Sequence, residues 1–296
     1  MTKIASNAAA APPAKKDFGV RRPSGSYLDF SIWGTVFWLT IRQQCRARRL
    51  IIISVLFALP SAIAILSRYF QPETNLRALE YGLIFNMIPH ALVPLTALLY
   101  ACGMIQDEIE EQTLTYLLIR PVPKWAIYLA KLMATVVVTV GLTALFTTAA
   151  FCAIHAGTSD LWTTMPSRLV KTTAIFALTL LAYCSIFGFI SLYVRRSLVI
   201  GIAYIVLLEG VLANINFVAR SLTIVYYLRV LVLRWLQIPR TSVGEGGVNE
   251  WAIDLNQAPS AWSCVEILLG VSLAATLLAG LIFSNREFRL KTPEGS

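Results

Sequence analysis

The sequence predicts an all-α membrane protein with six transmembrane helices, an N-terminal interfacial amphipathic helix, and an outer-face helix between spans five and six. Of its 296 residues, 57% are hydrophobic and only 14% are charged, and the mean hydropathy is +0.67. Several stretches of about 20 residues carry few or no charges, which is the length that a helix needs to cross the bilayer core. Both observations favour lipid as the solvent for most of the chain.

The apolar stretches define the predicted domain of residues 50–290. Its six spans are predicted at about 50–67, 81–105, 126–154, 172–194, 198–217 and 262–283. The connection at Arg195-Arg196 is so short that spans four and five are predicted to be antiparallel neighbours.

The segments outside this domain are polar or amphipathic. Residues 1–27 lack the apolar run of a secretory signal and are predicted to form a disordered basic tail in the cytoplasm. Residues 28–49 place apolar side chains at helical spacing and end in a basic cluster, a pattern typical of a helix lying in the membrane interface. Residues 291–296 form a C-terminal tail.

Most of the 25 Lys and Arg residues lie on one side of the six-span arrangement, which predicts that both termini are cytoplasmic, as in a multi-pass protein of a bacterial inner membrane. The stretch 220–237 is apolar enough to resemble a seventh span, but it contains Arg229 and Arg234. Each arginine at a span centre costs about 2.5–3.5 kcal/mol. An outer helix that dips into the membrane surface is therefore predicted, and a re-entrant helix or a seventh span remains the alternative.

Composition and motifs argue against several functions. The net charge of +9 is not gathered on one aromatic-rich soluble face, so no nucleic acid partner is predicted. No lysine follows a glycine, which excludes a P-loop, and the motifs H-E-x-x-H and G-x-S-x-G are absent. The five cysteines form no C-x-x-C pair. We predict no catalytic, cofactor or metal site in this chain.

Two residues inside predicted spans are candidates for an intramembrane role. Glu209 is the only acid well inside a span, and such groups usually face a partner or a water-filled cavity. It is expected either to fix helix packing, near Asn214 or Asn216, or to contact a transported group. His90 lies between two prolines of span two and is either a structural hydrogen-bonding group or a titrating one.

The loop between spans two and three carries a pattern of its own. The loop begins with acidic residues at Asp107 and has Arg120 near its other end, followed by Pro121, which cannot continue a helix. This pattern predicts a short cytoplasmic helix. Apolar residues at Leu114 and Leu117 would form an exposed patch, and such patches commonly mark contact sites. The patch is expected either to dock a protein partner or to lie on the membrane.

This loop resembles the cytoplasmic signature of ABC-2 type transporter permeases. The similar run is E-I-E-E-Q-T-L-T-Y-L-L-I-R-P-V-P-K-W, followed by A-I-Y-L-A-K-L. Further along, Y-I-V-L-L-E-G-V-L-A-N and S-L-T-I-V-Y-Y-L-R resemble the fifth span and outer helix of that family. The resemblance covers most of residues 28–290. Gln112 and Lys124 stand where many relatives have Gly and Arg.

The resemblance implies an exporter permease that pairs with a second copy as a homodimer, or with a paralogous permease, and with separate ABC ATPase subunits that bind ATP and Mg. It also implies that the loop helix couples the ATPase to the permease. The residues of this predicted coupling helix are Asp107, Glu108, Glu110, Glu111, Thr113, Leu114, Tyr116, Leu117, Leu118, Arg120 and Pro121. Besides membrane lipids, no other partner is predicted.

Two alternative functions remain open. The first is a secondary transporter or channel without an ATPase, a class that often shows inverted repeats, although no repeat is found here. The second is an ABC-type complex that transmits force to a periplasmic partner. The substrate is not predicted, because one intramembrane acid does not define a ligand.

Overall fold

The computed structural model describes residues 30–46, 48–70, 76–110, 123–158, 164–194, 196–212, 218–237 and 258–285. Every regular element in these ranges is helical, which confirms the all-α prediction. The α-helices are α1 (Phe30–Arg46), α2 (Arg48–Phe70), α3 (Leu76–Glu80), α4 (Val93–Glu110), α5 (Lys124–His155), α6 (Met165–Tyr193), α7 (Ser197–Tyr204), α8 (Ile224–Leu236) and α9 (Ala261–Asn285). Two π-helices, Tyr81–Leu92 and Ile205–Val211, continue α3 and α7, and a 3₁₀-helix covers Val218–Leu222.

Five helical stretches among the described residues are long and apolar enough to cross a membrane. They are Arg49–Phe70, Leu76–Glu108, Lys124–His155, Met165–Tyr193 and Ala261–Asn285. These stretches correspond to predicted spans one, two, three, four and six, so the chain is a multi-pass membrane protein.

The predicted fifth span is shorter than expected in the described part of the chain. α7 has eight residues and the following π-helix has seven, which together fall below the roughly 20 residues that a straight span needs. Residues 213–217 of the predicted span 198–217 lie outside the described residues. The count of six spans therefore stays a prediction.

α6 lies at the centre of the bundle and packs against α4, α5, α8 and α9. Its side chains Phe176, Tyr183 and Phe187 are almost fully buried, and the rings of Tyr183 and Phe187 stack with centroids 5.8 Å apart. The helix begins at Met165 instead of the predicted 172, with a proline in its first turn, a position that suits the fixed φ of proline.

α1 packs one face against α5 and exposes the other. Its indole Trp33 Nε1 donates to the carbonyl of Ala126 at 3.0 Å, and Gln44 Nε2 donates to Thr135 Oγ1 at 2.7 Å. The opposite face exposes Trp38. The helix is amphipathic as predicted, while its place in a membrane interface stays a prediction.

α8 corresponds to the predicted helix between spans five and six, and its place on the outer face of the membrane stays a prediction. Its residues Val225, Leu228 and Leu231 are fully buried, because the helix is inserted among α6, α9 and the first π-helix. Its 13 residues rise about 20 Å, which is too short for a seventh span. Insertion is possible because both arginines have partners: Arg229 bonds to His90, and Arg234 Nη2 donates to the carbonyl of Ala258 at 2.9 Å.

Candidate functional site

Four charged side chains join α2, α4 and α5 at one end of the bundle. Arg49 Nη2 on α2 lies 2.6 Å from Asp107 Oδ1 on α4. Lys131 on α5 forms an ion pair with Glu108 on α4, and its Nζ also donates to the carbonyl of Met104 at 3.2 Å. We call these two pairs the α4 clasp. They connect one helix end to two neighbouring helices.

The α4 clasp changes the interpretation of the acidic residues in the predicted coupling helix. Asp107 and Glu108 lie in α4, which continues the second span at least to Glu110. Arg49 and Lys131 pair with these two acids.

Most of the other residues of the predicted coupling helix lie outside the part of the chain that the structure describes. α4 is described as far as Glu110, whose side chain lies outside the described side chains. The predicted residues Glu111, Thr113, Leu114, Tyr116, Leu117, Leu118, Arg120 and Pro121 lie outside the described residues. Their role in docking stays a prediction.

Glu209 caps the beginning of α8. Its Oε1 accepts the backbone N–H of Ile224 and its Oε2 accepts that of Val225, each at 3.1 Å. The side chain of Thr223 accepts a further N–H, from Tyr226, at 3.3 Å. The first N–H groups of a helix lack intrahelical partners, and a carboxylate is well suited to them. Glu209 therefore holds the π-helix 205–211 to the first turn of α8.

His90 also contacts α8, farther along the helix. Its Nε2 accepts from Arg229 Nε at 2.9 Å, and its Nδ1 lies 2.7 Å from the carbonyl of Asn86. Arg229 is almost fully buried and also interacts electrostatically with Glu209. Both intramembrane candidates from the sequence thus meet the same short helix, and each of them lies in a π-helix, a feature often found at functional sites.

The structure contains a second charged cluster that was not predicted from the sequence. Glu80 is almost fully buried, and its two carboxylate oxygens lie 3.0 and 3.1 Å from Nη2 and Nη1 of Arg168. His155 Nε2 lies 3.8 Å from the same carboxylate. Arg68 Nη1 donates to the carbonyl of Ile154 at 3.1 Å. This cluster joins the ends of α2, α3, α5 and α6 opposite the α4 clasp.

The described residues contain no group of three or more His, Cys, Asp or Glu side chains placed to hold a metal ion. All five cysteines are free thiols. The charged clusters described above attach helices to one another through ion pairs and hydrogen bonds.

Residues 43–211 match the model of the ABC-2 family transporter proteins, and this range exceeds half of the 296-residue chain. The chain belongs to the ABC-2 transporter family. The match covers the α4 clasp, His90 and Glu209, and it ends before α8. Comparison with curated proteins found no match.

Membership confirms the resemblance seen in the sequence. An ABC-2 family protein is the membrane-spanning permease component of an ABC transporter, and its partner is an ABC ATPase subunit. The five apolar helical stretches are those of a multi-pass permease.

Proposed function

We propose that this permease couples ATP hydrolysis by a separate ATPase subunit to the export of a substrate across the membrane. ATP and Mg²⁺ bind to the ATPase subunit, and this chain supplies no catalytic residue. Export, like the assignment of residues 111–121 to coupling, rests on the resemblance to ABC-2 permeases.

The observation that carries this proposal is the position of the α4 clasp. The clasp lies directly before residues 111–122, at the end of a helical stretch that runs from Leu76 through α4. Closure of the ATPase pair would push this segment and thereby α4. Because Arg49 and Lys131 attach α4 to α2 and α5, these helices would move with it.

The proposed topology places the α4 clasp at the cytoplasmic side of a bacterial inner membrane. The exposed residues Arg42 and Arg46, with Arg49 and Lys131, lie at or near this end and fit the positive-inside rule. α7 and residues 205–217 would form the fifth of six spans, and both termini would be cytoplasmic. A second copy of the chain or a paralogous permease would complete the transporter.

Charge substitutions in the apolar patch test the coupling role. Leu114→Glu and Leu117→Glu should each abolish binding of the partner ATPase in membranes, because a carboxylate cannot be buried in an apolar contact without a partner. Gln112→Glu is the matched control, since a helical segment would present this position on the opposite face.

The outcomes separate the alternatives. Loss of ATPase binding in the two leucine variants, with full binding in Gln112→Glu, would support docking through the patch. Undiminished binding and hydrolysis in all three variants would contradict it. A chain that works without any ATPase would indicate a secondary transporter or channel. ATPase-dependent movement of a periplasmic protein without solute passage would indicate force transmission.

A further inference from the structure

We infer that Arg49, lying across Gly103, is the positioning residue that makes α2 move with α4 when the ATPase binds nucleotide. This inference rests on the proposed function, and it assigns a role to two residues outside the predicted coupling helix.

The guanidinium of Arg49 lies on one face of α4, directly over Gly103. Its Nη1 donates to the carbonyl of Leu99 at 3.4 Å, and its Nη2 bonds to Asp107 at 2.6 Å. Gly103 lies midway between these contacts, and residues four apart share a helix face. The Leu99 carbonyl points along the helix axis towards Gly103, so Arg49 is held at this point of α4 by a backbone oxygen and a carboxylate.

Gly103 is required for this position. A methyl group added there would overlap the Arg49 guanidinium, while no other group lies as close. The obstructed atoms belong to the end of a flexible side chain, so Gly103→Ala would displace Arg49 without disturbing the helix packing. Alanine also has a higher helix propensity than glycine.

The two halves of the α4 clasp differ in burial. The side chains of Arg49 and Asp107 are each 33% exposed, whereas those of Lys131 and Glu108 are 3% and 13% exposed. Exposed ion pairs contribute little to stability, while removing one partner of a buried pair is strongly destabilising. Lys131–Glu108 is therefore the permanent attachment. Loss of the Arg49–Asp107 contact would leave the fold intact, because α2 also packs against α5 and the first π-helix, but it would remove the attachment of α2 to α4 at the clasp.

The experiment uses the permease purified with its ATPase subunit in nanodiscs. A reporter cysteine replaces Phe70, which is 71% exposed at the far end of α2, in a background with the exposed Cys45 and Cys152 changed to serine. Its labelling rate with a membrane-impermeant maleimide is compared with and without ATP and vanadate. Nucleotide trapping should change this rate several-fold when Arg49 is in place.

Arg49→Gln and Gly103→Ala should both retain ATPase binding and hydrolysis but lose most of the nucleotide-dependent change in labelling. Gly141→Ala is the matched control, because a methyl group there meets open space on α5. The charge-exchanged pair Arg49→Asp with Asp107→Arg should restore part of the response, which a purely structural role would not predict.

The results distinguish two failures. A full response in Arg49→Gln and Gly103→Ala, or no response in the parent complex, would overturn the inference while the ATPase partnership stands. Failure of any ATPase to associate with the intact permease would overturn the proposed function and the inference together.

Discussion

Arg229 donates its Nε–H to Nε2 of His90 across 2.9 Å, although 139 residues separate the two in the chain. An imidazole nitrogen that accepts a hydrogen bond carries no proton, so the proton of His90 resides on Nδ1 and is donated to the carbonyl of Asn86. His90 is thereby a neutral acceptor for a buried arginine. This hydrogen bond stabilises the insertion of α8 into the bundle.

Removal of this acceptor should destabilise the permease. His90→Ala leaves the buried guanidinium of Arg229 without this hydrogen bond, so the free energy of unfolding should fall by about 1.5–3 kcal/mol. His90→Gln keeps an acceptor oxygen and should lose less. Thermal unfolding of the detergent-solubilised protein measures both; equal stability of the alanine variant and the wild type would refute the structural role.

Glu209 should be needed for the order of the first turn of α8. Glu209→Ala removes the acceptor of two backbone N–H groups and should speed hydrogen exchange at Ile224 and Val225. Glu209→Gln retains one acceptor oxygen and should show an intermediate effect. Exchange measured by mass spectrometry in nanodiscs checks this, with peptides of α9 as the internal reference. Identical protection in the alanine variant and the wild type would argue against capping by Glu209.

Glu80 and Arg168 should be energetically coupled. Their two oxygen–nitrogen contacts of 3.0 and 3.1 Å form a two-point pair in which Glu80 is buried and Arg168 is partly exposed. Residues in contact show coupling energies of about 0.5–3 kcal/mol in double-mutant cycles. The cycle uses Glu80→Gln and Arg168→Met. Lys171→Met provides the control, because Lys171 Nζ bonds to the carbonyl of Trp235 instead. Additive effects for Glu80 and Arg168 would contradict the pairing.

Sidedness can be tested with exposed positions at opposite ends of the bundle. In a Cys152→Ser background, a cysteine at Ala156 should react with an impermeant maleimide applied to intact cells, while Cys45 should react only after lysis. The reverse pattern would invert the proposed topology and place the α4 clasp outside.

The sequence predicted the long helices well because length and apolar composition alone decide them. Predicted spans 126–154 and 262–283 agree closely with α5 and α9. Agreement is poorer where charged residues belong to a helix. α6 includes Arg168 and Lys171, which were placed before the span because their partners, Glu80 and the Trp235 carbonyl, are distant in sequence.

Part of the candidate site could also be predicted from the sequence. Glu209 and His90 were identified because ionisable groups are costly in lipid. The partners of these two residues were not identified from the sequence. The observed partners of Glu209 are backbone groups of α8, while Asn214 and Asn216, which were expected near it, lie outside the described residues. Such pairings depend on how the chain returns after the second π-helix, which no local pattern encodes.

The most direct test of the account is purification of the tagged chain in mild detergent from its native membrane, followed by mass spectrometry and an ATPase assay. The account predicts a stoichiometric P-loop ATPase that co-purifies with the permease, hydrolyses ATP, and is lost in Leu114→Glu but not in Gln112→Glu. An intact chain that repeatedly purifies alone and without ATPase activity would contradict the proposed coupling.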